Sequence, residues 1–154
     1  MFEGKVIAIN IAAEAGVPMQ SVNEARAVPG RGLEGDRYYE HKGTFSKPQP
    51  DRELTLIEAE AVEAMKRELN VDFGLSDSRR NVVTRGVPLN HLVGQEFWIG
   101  EVKARGLRLC EPCSHLQKLS HEKVLRGLVH RGGLRAQILS EGTIRVGESI
   151  KESY

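Results

Sequence analysis

Residues 96–109 read EFWIGEVKARGLRL, two short runs of strand-type sequence separated by Gly100. Gly94, Gly100 and Gly106 divide this region in the way that turns or β-bulges do. Trp98, the only tryptophan, lies in an alternating run, and we predict that its side chain belongs to the core. The region therefore predicts short strands joined by tight connections.

Similar patterns recur along the chain. The predicted strands cover residues 5–11, 24–28, 54–56, 81–84, 134–139 and 142–146. The last two are expected to form a closing hairpin, and residues 43–52, with two prolines, predict an exposed loop. Many short strands with few helices indicate a mainly β fold, a barrel or sandwich with helical decoration.

One segment has helical periodicity. Apolar residues recur every four positions, at Ile57, Ala61, Met65 and Leu69. This stripe predicts a helix over residues 57–70 that buries one face and ends at Asn70. Shorter helices are predicted at residues 114–119 and 123–129.

Length and composition are those of an ordinary globular protein. The chain has 154 residues, of which 40% are hydrophobic and 28% are charged. We expect a single domain, residues 1–154, with a substantial core. No apolar run approaches the roughly 20 residues that cross a bilayer, and the first residues resemble no leader peptide. We therefore expect a cytoplasmic protein without a membrane partner.

Charge is unevenly distributed. Residues 103–135 contain eight Lys or Arg and two Glu, a formal charge of +6, although the whole chain carries only +1. This asymmetry indicates an anionic partner for the basic segment, and a solvated basic face is the alternative. Low overall charge, 5% aromatic residues and the lack of a binding motif argue against nucleic acid.

Both cysteines lie in the sequence CEPC, residues 110–113. Pro112 fixes φ and has no amide donor, so we expect the chain to turn there and to present Cys113 at a helix start. A helix N-terminus and cations such as Arg108 and Lys118 stabilise a thiolate. Because a thiolate attacks sulfur donors and binds soft metals, Cys113 is the candidate catalytic residue and the candidate metal ligand.

Three other interpretations of the cysteines stay open. Structural zinc would need Cys110, Cys113 and two more ligands, drawn from His115, His121 and His130. A thioredoxin-like redox pair would need a βαβ setting, which the sequence does not reveal. In the third interpretation both cysteines are buried and inert, and the protein binds an acidic partner through its basic face.

Five segments together resemble the MOSC family, named for the C-terminal domain of molybdenum cofactor sulfurase. They are residues 32–37 (GLEGDR), 79–83 (RRNVV), 110–113 (CEPC), 132–136 (GGLRA) and 142–148 (GTIRVGE). The resemblance covers nearly the whole chain and rests on the order and spacing of these segments. It implies a β-barrel-like fold with an essential cysteine, which carries sulfur as a persulfide or ligates the metal of molybdenum cofactor.

The resemblance also implies ligands and partners. The family cysteine corresponds to Cys113, and Cys110 is an accessory that some relatives lack. The ligand would be the anionic pterin of molybdenum cofactor. A cysteine desulfurase or a molybdenum enzyme would donate or accept the sulfur, with pyridoxal phosphate only on the desulfurase. The sequence does not fix the oligomeric state.

Residues 79–81 resemble an Arg-Pro-Asn segment of reductase relatives, with Arg80 in place of the proline. Neighbouring residues in a strand face opposite sides, so one arginine reaches a phosphate and the other is a solvated charge. We favour Arg79 for the phosphate. Asn81 completes this set of candidate cofactor-binding residues.

Asp36 and Arg37 follow two glycines and correspond to part of a Gly-Asp-Arg-His segment of stand-alone relatives. Tyr38 stands where those relatives have histidine, and His41 lies just beyond. We predict that Asp36 and Arg37 contact the ligand. The alternative is a tight turn without a binding role.

His130 and Arg131 are the remaining candidate cofactor-binding residues. They precede Gly132 and Gly133, and glycines allow backbone amides to converge on an anion. This segment is predicted to be either a small anion-binding nest or a flexible turn before the last strands.

Overall fold

The computed structural model describes residues 2–39, 50–112, 116–117 and 123–153. The described strands are β1 (Glu3–Ile11), β2 (Gln20–Val22), β3 (Glu24–Val28), β4 (Gly32–Leu33), β5 (Leu54–Glu58), β6 (Val82–Arg85), β7 (Glu96–Ile99), β8 (Val102–Leu109), β9 (Leu134–Ile138), β10 (Gly142–Arg145) and β11 (Ser149–Glu152). The α-helices with defined bounds are α1 (Ala59–Leu69) and α2 (Val124–Leu128). Pro50–Arg52 and Leu89–Leu92 form short 3-10 helices.

Seven strands form a closed barrel. Their order is β11, β7, β8, β9, β5, β6 and β1, and the pairing of β1 with β11 closes the ring. Strand β2 pairs with β1 outside the ring, and β10, β3 and β4 form a separate three-stranded sheet. The predicted mainly β fold is confirmed, and its architecture is a barrel.

Strands β5 and β6 are parallel and are joined by a connection that contains α1, so the barrel contains a βαβ unit. This unit was not predicted from the sequence. The cysteine segment is not part of it, because Cys110 directly follows β8. The setting expected of a thioredoxin-like pair is therefore present in the fold, but not at the cysteines.

Two apolar cores lie on opposite faces of β5. The barrel interior holds the larger one, in which Leu54 and Phe97 are fully buried. The other lies between α1 and the outer face of the sheet, where Ile57 packs with Met65. Because β5 contributes to both cores, all its residues except the last are buried, as in strands covered on both faces.

The predicted helix at residues 57–70 is confirmed over Ala59–Leu69. Ile57 belongs to β5 instead, because the ladder with β6 keeps the chain extended as far as Glu58. Asn70 ends the helix in the left-handed conformation, with φ of 53°, and its amide donates to the Lys66 carbonyl at 3.0 Å. This is a common way to terminate a helix.

The predicted closing hairpin at residues 134–139 and 142–146 is wrong. Strand β9 pairs with β5 on one edge and with β8 on the other. Both of its edges are therefore taken, and β10 pairs with β3 in the smaller sheet. Strands β9 and β10 are therefore neighbours in the sequence but belong to different sheets, because both edges of β9 are paired within the barrel.

Trp98 was predicted to be core, and this is wrong as well. Its side chain is 37% exposed on the outer face of β7, and the Lys103 ammonium lies 5.5 Å from the ring centroid. Successive side chains of a strand point to opposite faces. Phe97 and Ile99 take the inward positions, which leaves Trp98 outside.

Gly100 and Gly106 have the roles that the sequence predicts. Gly100 lies in the turn between β7 and β8 with φ of 56°. The register between β8 and β9 shifts after Gly106, as in a β-bulge. A Cβ on Gly106 would lie 2.1 Å from the Leu92 carbonyl oxygen, so only glycine allows this approach.

Two further predictions fall largely outside the described residues, namely most of the loop at residues 43–52 and most of the helix at residues 114–119. The predicted helix at residues 123–129 contains α2. No helix in the described ranges combines the length and the apolar character that a bilayer span requires.

Glu53 is a buried carboxylate that links the two sheets. Its Oε1 accepts hydrogen bonds from the amides of Gly30, at 3.0 Å, and Ile138, at 3.2 Å. These bonds join the β3–β4 connection to β9. Burial raises the pKa of Glu53, and the two amide donors oppose this rise only in part.

This burial predicts an effect of pH on stability. A raised pKa means that the folded protein holds the Glu53 proton more tightly than the unfolded chain, so stability falls as pH rises from the ordinary value of 4.5 through the folded value. Glu53→Gln removes the charge and keeps an acceptor oxygen. We expect its free energy of unfolding, relative to wild type, to increase from about pH 4 to about pH 7 in urea denaturation.

Glu63→Gln is the matched control. Glu63 is exposed, and its hydrogen bond with Arg85 lowers the pKa of its carboxyl. Its ionised form therefore stabilises the fold, and the relative stability of Glu63→Gln should decrease over the same pH range. Slopes of the same sign for both variants would contradict this account of Glu53.

Candidate functional site

Asp36 fixes the loop that follows β1. Its Oδ1 accepts a hydrogen bond from the Ala12 amide at 3.0 Å and another from Arg37 Nη1 at 3.2 Å. The Arg37 amide in turn donates to the Ala12 carbonyl at 2.7 Å. Asp36 and Arg37 are both buried. The turn predicted after the two glycines is thus a packed junction between two loops.

Arg79 approaches this junction from the loop before β6. It adopts a left-handed backbone with φ of 59°, which is uncommon for a residue other than glycine, asparagine or aspartate. Its Nη1 donates to the Val17 carbonyl at 2.7 Å. Burial lowers the pKa of Arg79, and the neighbouring Arg37 guanidinium lowers it further, while Tyr38 and Asp36 act in the opposite direction.

Asp36, Arg37 and Arg79, with the small cavity beside Arg79, are called the arginine pocket below. The cavity measures about 250 Å³ and is lined by Gly16, Pro18, Met19, Ser76, Asp77 and Arg79. Arg37 also reaches this lining, since its Nη1 lies 3.5 Å from the Met19 sulfur. The pocket contains two buried guanidinium groups and one buried carboxylate, which pairs with Arg37, so the three side chains carry a net positive charge.

Asn81 joins three strands of the barrel. Its Oδ1 accepts hydrogen bonds from the amide and the hydroxyl of Thr55 in β5, at 3.2 and 3.1 Å. Its Nδ2 donates to the Asn10 carbonyl in β1 at 3.1 Å, and its own carbonyl accepts from the Asn10 amide at 2.7 Å. Asn81 therefore holds the start of β6 between β1 and β5, and the arginines just before it are fixed in place.

Arg80 points away from the arginine pocket toward the cysteine segment, residues 110–113. Its Nε donates to the Gly132 carbonyl at 2.8 Å, and its Nη2 donates to the Cys110 carbonyl at 3.0 Å. Arg80, the arginine not favoured for the phosphate, was predicted to be a solvated charge. This prediction is wrong, because Arg80 is only 8% exposed. The backbone carbonyls around it compensate for the loss of water.

The predicted nest at residues 130–133 is partly filled by the chain itself. The Glu111 carboxylate accepts a hydrogen bond from the His130 amide at 2.8 Å, and its other oxygen lies 3.2 Å from His130 Nδ1. His130 has φ of 63° and an exposed side chain. One amide and one imidazole nitrogen, both of His130, therefore contact a carboxylate of the cysteine segment, and the nest stays a prediction.

Arg131 faces α1. Its guanidinium forms two hydrogen bonds with the Glu68 carboxylate, at 3.2 and 2.8 Å, and its Nε donates to the Gly127 carbonyl at 2.7 Å. Arg131 therefore links α1 to α2. It does not meet Asp36, Arg37 or Arg79 in any of these contacts.

Arg108 and Arg135 lie opposite each other on β8 and β9, and Thr55 is the partner of Arg135 on β5. Arg135 alternates with the buried Leu134 and Ala136, so this row lies on the outer face of the barrel. The row leads directly into the cysteine segment, because Arg108 is two residues before Cys110. Two of the basic residues predicted for this region therefore lie side by side on the outer face.

Cys110 is a buried free thiol, and its amide donates to the Gly133 carbonyl at 2.7 Å. Cys113 lies outside the described residues, as do His41, His115, Lys118 and His121. Cys113 therefore stays a prediction, and so does zinc binding. Among the described ranges, no group of three or more His, Cys, Asp or Glu side chains forms a metal-binding cluster.

Sequence reasoning missed three polar residues that organise the site. Asn10 and Thr55 lie in apolar strands, and both are buried. A polar residue inside an apolar strand needs hydrogen-bond partners, and this was the available signal. Arg80 was recognised as one of an arginine pair but was assigned to solvent.

The comparison with protein families matches the MOSC domain over residues 40–151. The chain belongs to the MOSC domain family. MOSC domains are generally linked to molybdenum cofactor binding or to sulfur transfer. The resemblance stated from the five sequence segments is therefore confirmed. A comparison with curated proteins found no match for this MOSC domain.

Solved structures agree with the fold. The YuaD protein from Bacillus subtilis superimposes with a TM-score of 0.79 at 17% identity, and the match covers 100% of both chains. YiiM from Geobacillus stearothermophilus gives 0.74 at 13% identity, covering 98% of this MOSC domain and 75% of that chain. YiiM from Escherichia coli gives 0.70 at 18% identity, with coverage of 100% and 70%. At such identities the likeness shows the fold.

The contact between Gly133 and β5 leads to a prediction about stability. Gly133 has φ of +118°, and a Cβ there would lie 2.1 Å from the Leu56 carbonyl oxygen. We expect Gly133→Ala to lower the free energy of unfolding by about 3 kcal/mol or more, because strain and a backbone clash add. Gly147→Ala, at φ of +93° with nothing within 4 Å, should cost only about 1 kcal/mol. Equal losses in urea denaturation would contradict the proposed clash.

Proposed function

We propose that this MOSC domain binds the anionic pterin of molybdenum cofactor in the arginine pocket and uses Cys113 as its reactive sulfur. Arg37 and Arg79 hold the negatively charged group of the ligand, and Cys113 is a persulfide carrier or a metal ligand. The observation that supports the proposal best is the pair of buried guanidinium groups, Arg37 and Arg79, beside a single buried carboxylate, Asp36, which pairs with Arg37. An incoming anion would offset this excess charge.

The described residues fit an anionic cofactor. Arginine binds phosphate through paired N–H donors in a fixed geometry. Burial lowers the pKa of Arg79, and the nearby Arg37 guanidinium lowers it further because the two cations repel each other. A bound anion would attract both cations and offset this repulsion. Asp36 keeps the Arg37 guanidinium in place at 3.2 Å.

When bound, molybdenum cofactor supplies a metal centre that transfers oxygen or sulfur atoms and electrons, and the chain supplies the binding groups. Arg37 and Arg79 orient the ligand through its charge, and Asn81 fixes the loop that carries Arg79. His130 pairs with Glu111, and Arg131 pairs with Glu68. These two residues would therefore lie beside the cysteine segment without holding the ligand directly. The Cys113 sulfur would meet the ligand as a metal ligand or as a sulfur donor.

Sulfur loading needs no external oxidant. The Cys113 thiolate attacks the outer sulfur of a persulfide on a donor protein such as a cysteine desulfurase. A new S–S bond forms on Cys113, the S–S bond of the donor breaks, and the donor cysteine leaves as a thiolate that takes up a proton. Pyridoxal phosphate acts only on the desulfurase, and the acceptor would be a molybdenum enzyme. Such donors and acceptors are consistent with a cytoplasmic setting.

Intact-mass measurement tests the role of Cys113. Purified protein is incubated with a cysteine desulfurase and cysteine, and we expect a gain of one sulfur atom that is lost on reduction. Cys113→Ser should abolish the gain. Cys110→Ala should keep it, because Cys110 is buried.

Other outcomes of this experiment separate the alternatives. No mass gain, together with a pterin that is lost in Cys113→Ser, would assign Cys113 as a metal ligand. Stoichiometric zinc whose removal unfolds the protein would reject the proposal in favour of a structural zinc site. A folded Cys113→Ser variant that loads sulfur like wild type would also reject it.

Arg79→Gln tests the arginine pocket. A charge-assisted hydrogen bond contributes about 1.5–3 kcal/mol, so we expect about tenfold weaker binding of pyrophosphate, used as the probe in calorimetry, or a larger loss. Without the probe, removal of a charge that Arg37 repels should offset the loss of the hydrogen bond to the Val17 carbonyl, so we expect the variant to remain folded. Pterin content after purification should decrease in parallel.

Arg145→Gln is the control for this test. Arg145 is exposed and pairs with Glu24 and Glu101, so the substitution should leave pyrophosphate binding unchanged. Equal affinity in wild type and Arg79→Gln would remove the arginine pocket from the proposal.

A further inference from the structure

The chain between β1 and β2 forms part of the wall of the arginine pocket. Residues 13–18, called the strap below, are all exposed and belong to no helix or strand. Gly16 and Pro18 of the strap line the cavity of this pocket, together with Ser76 and Asp77 from the loop before β6. Because the strap both lines the cavity and faces solvent, a movement of the strap would change access to the cavity.

Both ends of the strap contact buried residues of the arginine pocket. Before the strap, the Ala12 amide donates to Asp36 Oδ1 at 3.0 Å, and the Ala12 carbonyl accepts from the Arg37 amide at 2.7 Å. After the strap, the Met19 sulfur lies 3.5 Å from Arg37 Nη1. These contacts fix the two ends, so a movement would be confined to the residues between them.

One hydrogen bond holds the strap between its ends. Arg79 Nη1 donates to the Val17 carbonyl at 2.7 Å, and among the described residues no other hydrogen bond joins the strap to the rest of the chain. A Cβ built on Gly16 would have nothing within 4 Å, so the strap is not tightly packed at that point. The position of the strap therefore depends on Arg79.

Arg79 has donors to spare for a ligand. A guanidinium carries five N–H donors, and within the part of the chain that the structure describes, the bond to Val17 is the only hydrogen bond that this side chain makes. Arg79 also lines the cavity. One guanidinium can thus hold the strap through Nη1 and an anion through its remaining donors.

We infer that the strap is a lid of the arginine pocket and that Arg79 is its latch. Breaking the bond to Val17 frees the strap and opens the pocket. The closed strap limits the access of water, which strengthens the attraction between the guanidinium groups and an anion. A ligand that binds the closed form better than the open form shifts the strap toward closure. The latch follows from the described contacts, and the effect of an anion rests on the proposed function.

The test is cleavage by a glutamyl endopeptidase after Glu14, the only glutamate of the strap, followed by mass spectrometry of the fragment 15–154. When opening is fast relative to cleavage, the rate of this cut reports the open fraction of the strap. The amide of Arg79→Gln ends two bonds short of Nη1 and does not reach the Val17 carbonyl. We expect a cut about tenfold faster or more, as for the loss of one charge-assisted hydrogen bond. Arg79→Lys keeps the charge and most of the reach, and should restore most of the slow cleavage.

Pyrophosphate tests the coupling between the strap and an anion. At ten times its dissociation constant for wild type, it should slow the cut after Glu14 by up to about tenfold, the limit for binding to the closed form alone. The same concentration should slow the cut in Arg79→Gln by no more than about twofold, because binding to this variant is expected to be about tenfold weaker.

Arg145→Gln is the control, since Arg145 is exposed, pairs with Glu24 and Glu101, and should not alter the cut after Glu14. A folded Arg79→Gln variant that is cut at the wild-type rate would overturn the inference. So would equal rates in Arg79→Lys and Arg79→Gln, or a parallel increase at all glutamates, which indicates global unfolding. If Arg79→Gln does not fold, the wild type decides, because pyrophosphate that binds without slowing the cut would also overturn the inference.

The result is separable from that of the proposed function. If pyrophosphate does not bind while Arg79→Gln still accelerates only the cut after Glu14, the proposed function falls and the latch stands. If pyrophosphate binds through Arg79 and the cut responds neither to the ligand nor to the substitution, the lid falls and the proposed function stands.

Discussion

The hydrogen bonds of Asn81 are the constraint on which the site depends. They use its side-chain oxygen, its side-chain nitrogen and its backbone, and they join the start of β6 to β1 and β5. A buried amide with all these groups satisfied stabilises one arrangement and leaves its alternatives with unpaired polar atoms. Because Asn81 cannot move, the two residues before it have fixed directions. Arg79 turns toward the β1 loop, and Arg80 turns toward the cysteine segment.

Arg79 and Arg80 have different electrostatic surroundings. Arg79 lies near a second guanidinium and a carboxylate, so it belongs to a group with excess positive charge. Arg80 lies among backbone carbonyls, which accept its hydrogen bonds without cancelling its charge. The first arrangement suits an anion that arrives from outside. The second suits a permanent structural contact between the start of β6 and the cysteine segment.

Much of the fold was predictable from local pattern. The short strands, the helix stripe and the role of Asn70 follow from side-chain periodicity and from backbone preference, which are properties of a few consecutive residues. The pairing of β10 with β3, the exposure of Trp98 and the parallel pair β5–β6 depend on which strand edges are already occupied. Sequence alone does not give that order.

The candidate site was likewise predictable only in part. Its residues could be selected from their chemistry and from the family resemblance, but their partners could not. Glu111 was counted only as a negative charge, yet it occupies the turn at His130. Arg131 was grouped with the ligand-binding residues, yet it joins two helices through Glu68. Contacts of this kind join residues that are far apart in the sequence, and they have no local signal.

Closure of the ring through β1 and β11 also affects how the chain folds. Glu3 lies opposite Lys151, so the ring can be completed only after β11 has been synthesised, far later along the chain than β1. Pairings between residues so far apart in sequence slow folding, because a large loop must close before the contact forms. Until then the edges of β1 and β7 are open to mispairing, and a nascent chain would be most prone to aggregate at that stage.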